Sequence, residues 1–178
     1  MRTFSYRTAP TSLKLTVTAW LLLAVVGLGV AALQIYVRTG LTPSGALLHY
    51  RGDEATLHYP KSFAEMVEIT HAHAFTMPLV AFVLSAALVA TSAPEWLKRV
   101  VVFALFAGMA LELGVPWLVR YGPRWTVHLF LLAGALVLGG LLVAVAVPLY
   151  EMWWSPEETG VTTAHPQVPE AQRLRRAR

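Results

Sequence analysis

The chain has 178 residues, 56% hydrophobic and 13% charged, with a formal net charge of +4. Soluble domains carry about a quarter charged residues, so this composition excludes an ordinary soluble globular fold. The lack of cysteine excludes disulfides, covalently attached c-type haem, thiolate metal sites and iron–sulfur clusters, leaving histidine and carboxylate ligation open.

The apolar residues fall in four runs, 15–37, 66–90, 100–119 and 125–150. Each reaches the roughly 20 residues that cross a hydrocarbon core, and in lipid a lone segment satisfies its backbone only as a helix. The sequence therefore predicts an all-α, transmembrane four-helix up-down bundle with no room for a large soluble domain. Residues 1–14 form a basic tail with Arg2, Arg7 and Lys14. The run behind it is too long for a signal-peptide core and lacks a small-residue cleavage pattern, so it is expected to be retained as the first span. There Trp20, Gly27, Ala31 and Gln34 share one helix stripe, whose small residues favour close helix approach.

Residues 39–61 are the longest internal connection. Two pairs, His49-Tyr50 and His58-Tyr59, bracket Arg51, Gly52, Asp53 and Glu54. One reading is an interfacial loop with tyrosines at headgroup level. The other is a lid over a site in the membrane below, with Arg51 placed to pair with a cofactor propionate or a carboxylate.

The second span opens on EMVEITHAHAFTMP, residues 65–78, which sets Glu65, Glu68, His71 and His73 where a membrane helix carries Leu or Val. Ionisable groups are costly in a bilayer and so mark function. The span ends near TSAPEWLKR, residues 91–99, where Pro94 and Trp96 suit an interfacial turn. The third span carries Glu112, and the short PWLVRYGPRW connection, residues 116–125, implies an antiparallel neighbour. The fourth carries His128 near its start and closes in PLYEMWW, an interfacial aromatic belt. Residues 155–178, with Arg173, Arg175, Arg176 and Arg178, are expected to form a disordered tail.

Four spans place both termini on one side. The two tails and the 91–99 turn hold nine Lys and Arg, against five in the other connections. The positive-inside rule then puts both tails in the cytoplasm of a bacterial inner membrane and residues 39–61 in the periplasm. The basic flanks suit anionic lipid headgroups, and there is no nucleic-acid motif.

That topology gathers Gln34, Glu68, His71, His73, Glu112 and His128 in the outer half of the bilayer and leaves the inner half nearly all apolar. Glu68 and His71 share a helix face, while His73 lies about 200° round from His71. Two chemistries fit. The first is haem b, with His71 and His128 as an axial pair across the bundle centre. His73 is the substitute on span two, and His49 and His58 are the next candidates. Gly108, Ala135 and Gly139 would leave room for the ring, and Glu68 or Gln34 would orient a ligand's second nitrogen. Such a protein carries electrons near the periplasmic face, with quinone or a partner cytochrome or oxidase. The second is a single transition-metal ion held by Glu68, His71, Glu112 and His128, serving metal handling or oxidase assembly. A di-iron site needs a second Glu-x-x-His pair, which the chain lacks. Against both stands a structural subunit of a membrane complex or oligomer. There these groups only pack and hydrogen-bond, and Glu112 pairs with Arg120 or Arg124.

His49, Tyr50, Arg51 and Gly52, then Pro60, Lys61 and Ser62, then Thr70, His71 and His73 carry a resemblance. Across residues 40 to 120 the chain resembles a family of small bacterial four-helix inner-membrane proteins with a His-Tyr-Arg-Gly loop, a Pro-Lys-Ser opening to span two and a Thr-His-x-His core. The resemblance implies that architecture, and a loop and Thr-His-x-His stretch that act together, without implying an activity. In layout the chain is also loosely similar to four-helix membrane b-type cytochromes.

Overall fold

A computed structural model describes residues 4–155; the expected tail beyond residue 155 lies outside the described residues. Each helix begins and ends where its chemistry asks. Thr11–Thr39 (α1) closes on Gly40, whose φ of 61° is left-handed and whose N–H bonds the Tyr36 carbonyl. Only glycine takes that role without strain. The Thr42 hydroxyl then accepts the Gly45 N–H, and Pro43 occupies the first turn of Pro43–Arg51 (α2). This short helix takes up the first half of the loop expected over 39–61; residues 52–61 remain a loop with one 3-10 turn at Glu54–Thr56.

Ser62 and Glu65 form a reciprocal capping box at the start of Phe63–Val89 (α3). Lys61 adds an ion pair to Glu65 at 2.8 Å. Glu65, out of place in an apolar run, is thus a helix cap at the membrane boundary. A tight turn leads to Glu95–Tyr121 (α4), and a 3-10 turn at Arg124–His128 feeds Leu129–Trp153 (α5).

Four stretches are long and apolar enough to cross a membrane: Thr11–Thr39, Phe63–Val89, Glu95–Tyr121 and Arg124–Trp153. They pack as an all-α bundle, and the protein is a multi-pass membrane protein with four spans. One end of the bundle carries α2; the other, where α1 begins and α5 finishes, is called the tail end below.

The helices do not share the core equally. Leu84, Leu88, Leu105, Met109, Leu141 and Ala144 of α3, α4 and α5 form its centre. The closest approach is between α4 and α5. A Cβ on Gly108 would lie 2.8 Å from Val137 Cγ2, and one on Gly140 would lie 2.9 Å from Leu105 Cγ. Gly108 was expected to open space for a flat ring. Instead α5 fills that space, because two facing glycines let the backbones close up. Gly139 is different: nothing stands within 4 Å of its Cβ position.

Among the described residues of α1, only Leu21 is buried, and residues 29–38 are exposed throughout. The α2-end half of α1 therefore stands off the bundle, although α2 itself is well seated. Ala46 joins Val115, Val119 and Val127 in a second apolar cluster, flanked by Tyr50 and Phe130.

Candidate functional site

Polar side chains gather in three places: under α2, on the outward face of α3, and at the tail end. Under α2 they are mostly structural. Arg51 Nε donates to the Val119 carbonyl at 2.6 Å, and Arg51 Nη2 donates to the Gly122 carbonyl. A cation on the last carbonyls of a helix satisfies orphan acceptors and the helix dipole together. Arg51 thus pins α2 to the end of α4. Arg120 Nε donates to the Lys61 carbonyl at 2.6 Å, tying the start of α3 to the same helix end.

Glu112 lies beneath this clamp on the inward side of α4, half-buried between Gly108 and Pro116. Among the described residues nothing hydrogen-bonds its carboxylate. The expected pairing with Arg120 is not made, because Arg120 turns to Lys61 and lies over the Tyr121 ring. Pro116 lacks the N–H that would close on the Glu112 carbonyl, so the backbone loses a bond at the same residue. His73 on α3 and Tyr50 on α2 lie within electrostatic reach of the carboxyl. Burial raises the pKa of the Tyr50 hydroxyl, the Glu112 charge adds to the rise, and Arg38 opposes it. His49, next along α2, is pushed the other way, first by burial and then by Lys61 and Arg38, with Glu65 opposing.

The two sides of α3 separate the clustered residues. Met66 and Thr70 lie on the side packed against α4, where the Trp117 indole N–H donates to the Thr70 hydroxyl at 2.7 Å. His73, three residues on, shares that side but is exposed; its Nδ1 bonds the Ile69 carbonyl at 2.7 Å, and among the described residues nothing bonds Nε2. Glu68 and His71 lie on another face, continued by Phe75, Leu79 and Phe82, and every one of these is exposed. His128, the residue before α5, is also exposed, as is Gln34 on the free half of α1.

The structure therefore brings Glu112, His73 and Tyr50 into one neighbourhood. His71, His128 and Gln34 lie on the bundle surface, as does the exposed ring of His73. At this level the centre is closed by Met66, Val115 and Val119, each fully buried. Among the described residues no three His, Asp or Glu side chains converge to hold a metal ion.

The third cluster escaped the sequence reading, which took the inner half as apolar and ended span four at residue 150. Glu151, 4% exposed, accepts from Ser5 Oγ at 3.1 Å, Tyr6 N–H at 3.3 Å, Ser92 N–H at 2.6 Å and Ser92 Oγ at 2.8 Å. It joins the N-terminal segment, the α3–α4 turn and α5. Around it, Lys14 Nζ donates to the Arg7 and Met152 carbonyls and Lys98 Nζ to those of Val89 and Thr91. The visible signal was a single acid inside the aromatic belt; its donors, 59 to 146 residues away, are not adjacent in sequence.

No curated protein and no solved structure matches the chain. A match to a family of transmembrane helical domains begins directly behind α1 and takes in α2 through α5, the helices that share the core and its cap. That match, over residues 40–159 and so over more than half of the chain, makes the protein a member of the Aq_1264_TM transmembrane helical domain family.

Proposed function

We propose that this protein is a subunit of a membrane complex and meets its neighbour inside the bilayer through the outward face of α3. One observation carries the reading: Glu68 and His71 are both exposed on a membrane-spanning helix. Facing lipid at a helix centre, a charged group costs about 3 kcal/mol on insertion scales; these lie within about two turns of the boundary, where the cost is smaller but still favours a protein partner. The apolar residues that continue the face, Phe75 at 80% exposure and Leu79 at 62%, supply contact area. The test is the mass of the complex extracted in mild detergent. Wild type should run well above the 19.5 kDa chain with its detergent. Glu68→Leu combined with His71→Leu should bring it down to that size. A wild type that is already a single chain, or a double variant that migrates like wild type, overturns the reading.

A second reading is favoured by the exposed imidazoles of His71 and His128, which bond nothing among the described residues, with Glu68 one turn from His71 on the same face. Under it the protein holds haem b at an interface between chains and passes electrons to quinone or a partner cytochrome. A non-haem metal ion bound by the same residues is its variant. A reduced-minus-oxidised spectrum of the purified complex decides for haem, and metal analysis of the same sample decides for the ion. For orientation we adopt the inner membrane with both tails cytoplasmic and α2 on the periplasmic side, supported by the nine-to-five bias in Lys and Arg.

A further inference from the structure

We infer that the outward face of α3 is where two copies of this chain meet, about a twofold axis along the membrane normal. The inference rests on the preceding subunit reading and names its partner. The face carries an acid and a base one helical turn apart, Glu68 and His71, both exposed. A foreign partner would have to bring one complementary group for each. A second copy brings both, because twofold symmetry makes a contact reciprocal: Glu68 of one chain meets His71 of the other, and the reverse.

Depth permits the pairing. A twofold axis along the normal leaves every residue at its own level. Three residues then separate the two groups by about 4.5 Å along the axis. Parallel helices in coiled coils bridge larger offsets with flanking ion pairs. Both side chains lean toward the helix N-terminus alike, so the offset is spanned by their length, chiefly that of the glutamate. Below the polar pair the same face is apolar, with Phe75, Leu79 and Phe82 exposed at 80%, 62% and 61%. Self-packing there excludes lipid from the pair. His73, exposed as well, is not needed, since it lies about 200° round the helix from His71 and its Nδ1 is held by Ile69.

The chain has no cysteine, so introduced ones report without background. Phe75→Cys lies on the proposed interface, while Leu138→Cys lies on an exposed face of α5, where no contact is proposed. Oxidised in native membranes, the first should give covalent homodimers and the second should not. Adding Glu68→Gln, or separately His71→Gln, removes both reciprocal pairs at once and should lower the dimerisation constant about tenfold. The exchange Glu68→His with His71→Glu separates the possible partners. In a twofold homodimer it restores both pairs, so cross-linking should return. Against a foreign chain it leaves both groups mismatched.

Equal cross-linking at residues 75 and 138 indicates random collision and overturns the inference. Cross-linking of residue 75 to a different chain, without rescue by the exchange, also overturns it while leaving the subunit reading in place. No adduct at residue 75 overturns the inference, and the subunit reading then rests on the mass of the extracted complex.

Discussion

At the scale of single residues, Glu151 shows how one side chain ties distant parts of a membrane protein together. Its two carboxylate oxygens take donors from the N-terminal segment and from the α3–α4 turn. Glu151→Ala strips the acceptor from these groups and leaves the buried ones unsatisfied, which should cost about 3 kcal/mol. Unfolding in a denaturing-detergent titration would show it, and a change below about 0.5 kcal/mol would mean that water replaces the carboxylate. Arg51 is the counterpart at the other end. Arg51→Ala uncaps α4 and should release α2, read as faster proteolysis within residues 39–61. If digestion there matches wild type, the apolar seat of Ala46 and Tyr50 holds α2 without the clamp.

At the scale of elements, two contacts are set by the absence of a side chain. Gly108→Val drives a branched side chain into α5, where a Cβ alone already meets Val137 and Leu136 at 3.0 Å or less. The helices must separate, at a cost of about 1–3 kcal/mol in the same titration. Gly139→Val, whose Cβ position is open, should be tolerated, and equal effects would place the tight contact elsewhere.

The seating of α2 should also depend on pH. Burial holds His49 below the ordinary histidine value of 6.5. Undocked α2 therefore binds more protons than docked α2 between that lowered value and 6.5. The stabilisation is complete above 6.5 and is lost as pH falls from there toward the folded value. Amide exchange in α2, corrected for its intrinsic rate, should reveal more opening on the acid side, and His49→Gln should flatten the dependence.

At the scale of the whole molecule, the bundle is asymmetric. The helices α3, α4 and α5 share a closed core with α2 as its cap, while α1 adds Leu21 and then stands clear. The family match begins where α1 ends, in line with that division. Orientation is a property at this scale as well. Reporter fusions after Lys61 and after Lys98 should report periplasm and cytoplasm respectively. A cytoplasmic signal at Lys61 inverts the map and puts Glu68 and His71 in the inner leaflet.

What the sequence by itself determined is set by local physics. Four apolar runs of sufficient length must be helices in lipid, whatever their neighbours. The ionisable residues of the second span stand out for the same reason, since their cost is paid residue by residue. Only the tertiary structure decided which way those residues face. His71 and His73 are two positions apart, and helical rotation alone sends one outward and the other toward α4. Which of them stands on the α4 side depends on how α3 is turned against α4 and α5, and that turn follows the side chains packed between them, Leu84 and Leu88 against Leu105, Met109 and Leu141. The role of Glu151 was hidden for a related reason: its donors come from Ser5, Tyr6 and Ser92, and only folding brings those segments together.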